Sequence, residues 1–323
     1  MRPSARLVRL PYQGEWTAAA VAAVLEALPW LAERRTAVTV PRLRQLVKDQ
    51  AALLALMHWL AQGAVPYTVE TFPGTLPGRA PLWVAGRRLF PQAVLLSHRA
   101  GIQALRQHPE QAQQRAWATV PEPRLRALGG APEDLFVFGL VLGLVAQHPQ
   151  HTPRLLAKAL PLRLIFPLPL ARRRWPGEAW LSLKYEGPGT LSLVLYGRRA
   201  GKAVRYPVDL RAGERQRLEQ PWGALYALVT EQVPAGRVGV GSTLWAQPLV
   251  VPAQAWGNLW LYGMEVWWLG YLSRRAFLQQ ARLLPPGASR GWGLRLPQRA
   301  YAVPVESLRP MADLSARLKT PGA

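Results

Sequence analysis

Residues 180–210 read WLSLKYEGPGTLSLVLYGRRAGKAVRYPVDL. Apolar and polar residues alternate over Trp180 to Tyr185, Leu191 to Tyr196 and Val204 to Leu210, with the turn signals EGPG and GRRAGK between them. Period-two alternation punctuated by glycine and proline is the pattern of antiparallel strands with one face in a core, so this stretch predicts a β-meander.

Upstream the texture differs. Trp16 to Leu28 is alanine-rich and stops near Pro29, and between Arg42 and Gln62 the apolar residues Leu43, Leu46, Val47, Leu53, Leu54, Met57 and Leu60 recur at helical spacing. Both predict helices, the second with Pro41 suited to a first turn and Gly63 to a stop. Tyr67 to Phe72 predicts a strand, LWVAGRRLF (82–90) a hairpin turning near Ala85 and Gly86, and AVLLS (93–97) a further strand. His98 to about Val120 predicts helices broken at Pro109, and Pro132, Glu133 and Asp134 open what reads as a very apolar helix through Ala146.

Downstream, nine of the 14 tryptophans lie at or beyond Trp175. The segment Trp256 to Phe277, WGNLWLYGMEVWWLGYLSRRAF, is too aromatic to face water, and its pattern leaves helix and strand pair open. The fold class expected is α+β: a helix-rich N-terminal region around a small sheet, followed by a mainly β, tryptophan-rich C-terminal region. In linear terms this means a basic arm over 1–14, an α/β domain over 15–165, a mainly β domain over 166–311 and a tail over 312–323. The boundary falls near 160–176, and no internal repeat is evident.

Composition narrows the chemistry. With 323 residues and half of them hydrophobic, the chain has the material for two folded cores. The longest apolar run, Leu135 to Ala146, stops short of the roughly 18–20 residues of a membrane helix, so no membrane span is expected. The first residues, MRPSARLVRLPYQGEW, show no apolar signal core, which makes the cytoplasm the expected compartment. The absence of cysteine removes disulfides, thiolate catalysis and cysteine-ligated metals, and fits an intracellular or heat-adapted setting.

Forty Lys and Arg against 18 Asp and Glu leave a net charge of +22, and only five of the forty are lysine. A GC-rich coding bias explains arginine over lysine. It does not explain the shortage of carboxylates, because ordinary soluble surfaces mix both signs. A chain this basic attracts polyanions, of which nucleic acid, DNA or RNA, is the commonest inside cells.

The arginines cluster: Arg34 with Arg35, Arg42 with Arg44, Arg87 with Arg88, Arg172, Arg173 and Arg174 beside Trp175, Arg198 and Arg199 with Lys202 and Arg205, and Arg274 with Arg275. Several fall in turns, where a guanidinium can grip a phosphate and a neighbouring indole or phenol can stack on an unpaired base. Arg87, Arg88, Arg172–Arg174, Trp175, Arg198, Arg199, Lys202, Arg205, Arg274 and Arg275 are therefore the nucleic-acid-binding candidates. A protein partner at the tryptophan-rich region is the competing expectation, since aromatics and arginine are also enriched at interfaces.

Catalytic and cofactor motifs are incomplete. GRVGVGST (236–243) has phosphate-loop spacing, but Ser242 stands where the lysine belongs and TLWAQPLVV follows as a strand, so its glycines are expected to serve a turn or bulge. His148 and His151 lack a nearby carboxylate, His58 reads as a packed residue, and Ser97 is the expected cap of the helix after His98. The order helix, strand, hairpin, helix from Arg42 to Gln107 is compatible with restriction-type metal-dependent nucleases. Such sites need two or three carboxylates and a lysine, and here Glu70 is the single one well placed on a strand. No catalytic set, metal site or cofactor is expected beyond that carboxylate.

Overall fold

The computed structural model describes residues 7–34, 38–71, 75–114, 116–146, 155 and 157–319. Arg35, His148 and His151 lie outside them, as do the side chain of Arg174, the first six residues of the basic arm and the last residues of the tail. By its contacts the chain divides into two compact units, one of residues 1–20, 48–144 and 261–323 and one of residues 21–47 and 145–260.

The N-terminal segments form strand β1 (Val8–Pro11), within the stretch expected as an arm, and helices α1 (Gly14–Glu26) and α3 (Val40–Gln62), where the sequence placed them, with a further helix α2 (Leu28–Glu33) that takes Pro29 in its first turn where a stop was expected. Then come β2 (Thr68–Val69), β3 (Leu82–Val84) and β4 (Arg87–Leu96). The hairpin between β3 and β4 turns on Ala85 and Gly86, both at positive φ, the two-residue turn whose twist matches its strands. The AVLLS stretch continues β4 without a break.

Next are α4 (Arg99–Gln107), α5 (Pro109–Gln114), β5 (Trp117–Pro121), α6 (Glu122–Leu128) and β6 (Leu135–Val145). The helix after His98 is capped by His98 itself, whose Nδ1 accepts from the Gly101 amide at 2.9 Å, and not by Ser97. Strand β6 replaces the apolar helix expected over this run. It pairs in parallel with β4 from Leu89↔Leu135 to Leu96↔Leu142, and a parallel strand covered on both faces is continuously apolar rather than alternating. A helix and such a strand cannot be told apart by periodicity, and Gly139 and Gly143 cost a helix interior about 1 kcal/mol each.

The second unit contains β7 (Leu164–Pro167), β8 (Arg174–Ala179), β9 (Leu181–Glu186), β10 (Thr190–Arg199), β11 (Lys202–Arg211), β12 (Arg215–Arg217), β13 (Trp222–Thr230), β14 (Arg237–Ser242), β15 (Leu249–Val251) and β16 (Gly257–Asn258). The meander read from residues 180–210 is therefore present, but its strands are shared between two sheets. One sheet runs β11-β10-β13-β7-β16, with β8 also on β13, and the other β12-β9-β14-β15. Leu181, Leu183 and Tyr185 of β9, Val238 and Val240 of β14, Leu191, Leu193 and Leu195 of β10 and Trp222 of β13 form one core, making the unit a sandwich. Helix α2 packs against β10 and β13 of the larger sheet.

The chain then returns to the first unit as β17 (Leu261–Ser273), α7 (Arg274–Gln280), β18 (Arg282–Leu284), β19 (Ser289–Gly291), β20 (Leu294–Arg295), β21 (Ala300–Pro304) and α8 (Met311–Lys319). Of the aromatic segment that periodicity left open, the central part is the long strand β17, with β16 before it and the start of α7 after it. The sheet order β1-β17-β6-β4-β3-β2 places β17 next to β6, while β18-β21-β5 form a smaller sheet. Cβ atoms added at Gly139 and Gly143 would meet Trp268 and Gly263 at 2.6 and 2.9 Å, so these glycines let β17 close onto β6. Residues beyond 261 thus complete the N-terminal sheet, and the linear division at 160–176 gives way to units that are discontinuous in sequence. The helix-rich region around a sheet and the mainly β region stand as an α+β fold.

Candidate nucleic-acid interface

The four-stranded sheet of the sandwich turns one face to the core and the other to solvent. Even-numbered residues of β9, namely Ser182, Lys184 and Glu186, alternate with its buried leucines and tyrosine and so share the outer face. Register assigns the neighbours on that face. Arg215 and Arg217 of β12 pair with Lys184 and Ser182, while Arg237, Gly239 and Gly241 of β14 pair with Glu186, Lys184 and Ser182. Val250 of β15 pairs with Gly239.

The glycines shape the surface. A Cβ on Gly239 would touch nothing nearer than Lys184 at 3.8 Å, so the middle of the sheet is a groove floored by backbone. Ser182, Lys184, Glu186, Arg215, Arg237, Pro248 and Val250 line it. GRVGVGST is accordingly neither a phosphate loop nor a turn: its central residues are strand β14, and glycine there keeps the face open.

Four cations and one carboxylate stand on the strands of this sheet. Lys184 Nζ donates to Glu186 at 2.9 Å and Arg237 Nε donates to its other oxygen, and these hydrogen bonds hold the Glu186 carboxyl below the usual carboxylate range. Arg215 reaches Ser182 Oγ at 3.5 Å, and among the described residues neither Arg215 nor Arg217 is paired with a carboxylate. At one end Trp180, whose backbone exchanges hydrogen bonds with Thr243, continues the even-numbered face and is 52% exposed. Val250 is 50% exposed.

The residues singled out from sequence divide by role. In the first unit, Arg88 donates from Nε and NH2 to Asp134 at 3.1 and 2.7 Å, and Arg274 NH1 donates to the Gly130 carbonyl, so both tie down the 130–134 turn. Arg275 is exposed beside Glu133 at 3.7 Å, and Arg87 is half-buried at the start of β4.

In the second unit, Arg173 is 4% exposed and donates to the carbonyls of Leu168 and Val38, which removes it from any phosphate surface. Burial also lowers its pKa, as it does for Arg44, which clamps the Asn258 carbonyl at 2.8 and 3.1 Å. Arg172 lies over Trp245 at 4.9 Å, and Trp175 meets Trp245 edge-on at 5.9 Å while donating to the Arg172 carbonyl. Arg198 pairs with Glu33 at 2.7 Å, and Arg199 lies over Tyr206 and Trp222. Lys202 and Arg205 are exposed near the β10–β11 turn, on the sheet opposite the groove.

Glu70 accepts from Trp83 Nε1 at 2.6 Å, and among the described residues no group of three His, Cys, Asp or Glu could hold a metal ion. The groove cations Lys184, Arg215, Arg217 and Arg237 were not among the clusters singled out, although Arg215 and Arg217 stand two residues apart. The alternation over Trp180 to Glu186, with glycines at 239 and 241, was the available signal.

The first unit holds a buried ionic cluster that sequence also gave no means to pair. Asp49 on α3 is contacted by Lys48, by Arg79 Nε at 3.2 Å and by Arg124 NH1 at 4.0 Å. Burial pushes Lys48 down to about 8 and Arg124 to about 9. Burial alone would raise the Asp49 carboxyl, but the three cations hold it below its ordinary value. Gly78 sits hard against the Asp49 backbone, at 2.2 Å from a would-be Cβ, so a residue with a side chain after Pro77 would not fit here.

The chain matches no protein-family model, and no curated protein is similar to it in sequence.

Proposed function

We propose that the protein binds nucleic acid through its phosphate backbone, without chemistry of its own. The observation that supports this best is the open outer face of the β12-β9-β14-β15 sheet, where Lys184, Arg215 and Arg237 line a backbone-floored groove and Arg217 pairs with Ser182 at its edge. Arginines based on a paired sheet reach phosphates with their planar fork, and among the described residues Arg215 and Arg217 have no carboxylate to release first. The exposed Lys202 and Arg205 and the net charge of +22 add to the same long-range attraction.

The test is fluorescence anisotropy of labelled DNA and RNA across a salt series. Log affinity is expected to fall linearly with log salt, by roughly 0.9 per phosphate neutralised on duplex and roughly 0.7 on single strands. Arg215→Glu with Arg217→Glu is expected to weaken binding and flatten that slope, while the same charge change at Arg99 and Arg126 leaves the slope nearly intact. No binding at low salt overturns the reading in favour of a subunit that docks an acidic protein partner. Probe cleavage in Mg²⁺ that disappears in Glu70→Ala overturns it in favour of a divergent nuclease, for which the order α3, β2, β3, β4, α4 with parallel β6 is the argument.

A further inference from the structure

The groove has a polarity that a uniform phosphate site does not need. Ser182, Lys184 and Glu186 stand in a row on the outer face of β9, successive members roughly 7 Å apart, and Trp180, just before the strand and hydrogen-bonded to Thr243, extends that row at one end. Trp180 marks one end with an indole that is 52% exposed, whereas Trp222, Trp256, Trp267 and Trp268 are buried in the cores. An indole left half in water at the end of a row that continues with Ser182, paired with Arg217, and then Lys184, paired with Arg215, suits a ligand that offers a flat apolar ring followed by anions.

We propose that this face takes a single nucleic-acid strand, with a base stacked on Trp180 and the following phosphates on Arg217, Arg215 and Lys184 across the Gly239 floor. The proposal rests on the nucleic-acid reading above and specifies its ligand. Duplex fits poorly for two reasons. Its bases are stacked on one another and present no ring face to an indole, so only an unpaired base can use Trp180. Its grooves are read by elements that protrude, such as a helix or β-ribbon, and the centre of this face is recessed at Gly239, which carries no side chain, while the Ser182 hydroxyl lies over Gly241. A splayed single strand lies along such a groove with its sugar-phosphate chain on the cations and its bases free to turn toward the aromatic.

The experiment compares four labelled probes on the full chain: a thymidine DNA strand, a uridine RNA strand, an abasic DNA strand with the same number of phosphates, and a duplex. Both base-bearing strands are expected to bind more tightly than duplex and abasic strand, their ratio reporting whether the 2′-hydroxyl is also used. Trp180→Ala is expected to lower affinity for the base-bearing strands by roughly five- to one-hundred-fold and to leave duplex and abasic strand unchanged. Trp180→Phe should restore most of the loss. Gly239→Val, which fills the groove with a β-favouring residue in open space, should weaken single-strand binding while the melting temperature holds. Equal loss on all four probes in Trp180→Ala, or no loss on any, overturns the single-strand assignment while leaving phosphate binding in place. Failure of every probe to bind the unaltered protein at low salt overturns the parent reading instead.

Discussion

Asp49 is the residue on which the most charge depends. It is buried on α3 with Lys48, Arg79 and Arg124 around it, three cations to one carboxylate. Removing one member of a buried ionic set leaves the others uncompensated, and Asp49→Asn is expected to cost about 3–5 kcal/mol by chemical denaturation. The same cluster has a pH signature. Below pH about 8 the folded and unfolded chains both hold the Lys48 proton; between about 8 and the ordinary 10.5 only the unfolded chain does. Stability therefore rises with pH across that window, by on the order of 3 kcal/mol at full titration. Denaturation midpoints measured at both ends of the window should show this gain in the unaltered protein and a smaller one in Lys48→Met, where within the cluster Arg124 still has a lowered pKa.

Among the elements, β6 is the one whose type sequence reasoning misassigned, and the cause is local. Eleven residues without a polar side chain carry no period, so the choice between helix and strand passes to whatever packs against them. Here β4 pairs on one side and β17 closes on the other over Gly139 and Gly143. Gly139→Ala would drive a methyl into the Trp268 ring and is expected to cost about 1–3 kcal/mol by thermal or chemical melting. Gly223→Ala, whose added carbon would find only a carbonyl at 3.8 Å, serves as the matched control with little change. Strands β9, β10 and β11 were legible because each has one wet face, and the alternation that revealed them also marked Trp180, Ser182, Lys184 and Glu186 as a shared outer row. What alternation does not reveal is which strands sit beside that row. Arg215, Arg217 and Arg237 join it through pairings spanning about 30 to 50 residues, and no spacing rule reaches that far.

At the scale of the whole molecule the consequence of the topology is that neither half of the chain is self-sufficient. A fragment ending at residue 165 lacks β17 and β21, the partners of β6 and β5. It would expose the long apolar edge of β6, a template for aggregation. Size exclusion and circular dichroism are expected to find this fragment aggregated, and a soluble, cooperatively melting species would contradict the sheet order. The sequence by itself determined the quantities that are sums or short-range patterns: the net charge of +22, the absence of cysteine chemistry, the helices α1 and α3, the hairpin at Ala85 and Gly86, and the meander over 180–210. Only the tertiary structure decided which arginines are bound up in the fold, as Arg173, Arg88 and Arg44 are, and which stand around a groove, because burial and strand pairing join residues that are distant in the chain. It also decided that the glycines of GRVGVGST lie within a strand instead of turning a corner, since a glycine's role depends on what lies over it, and a Cβ on Gly239 would meet nothing nearer than Lys184 at 3.8 Å.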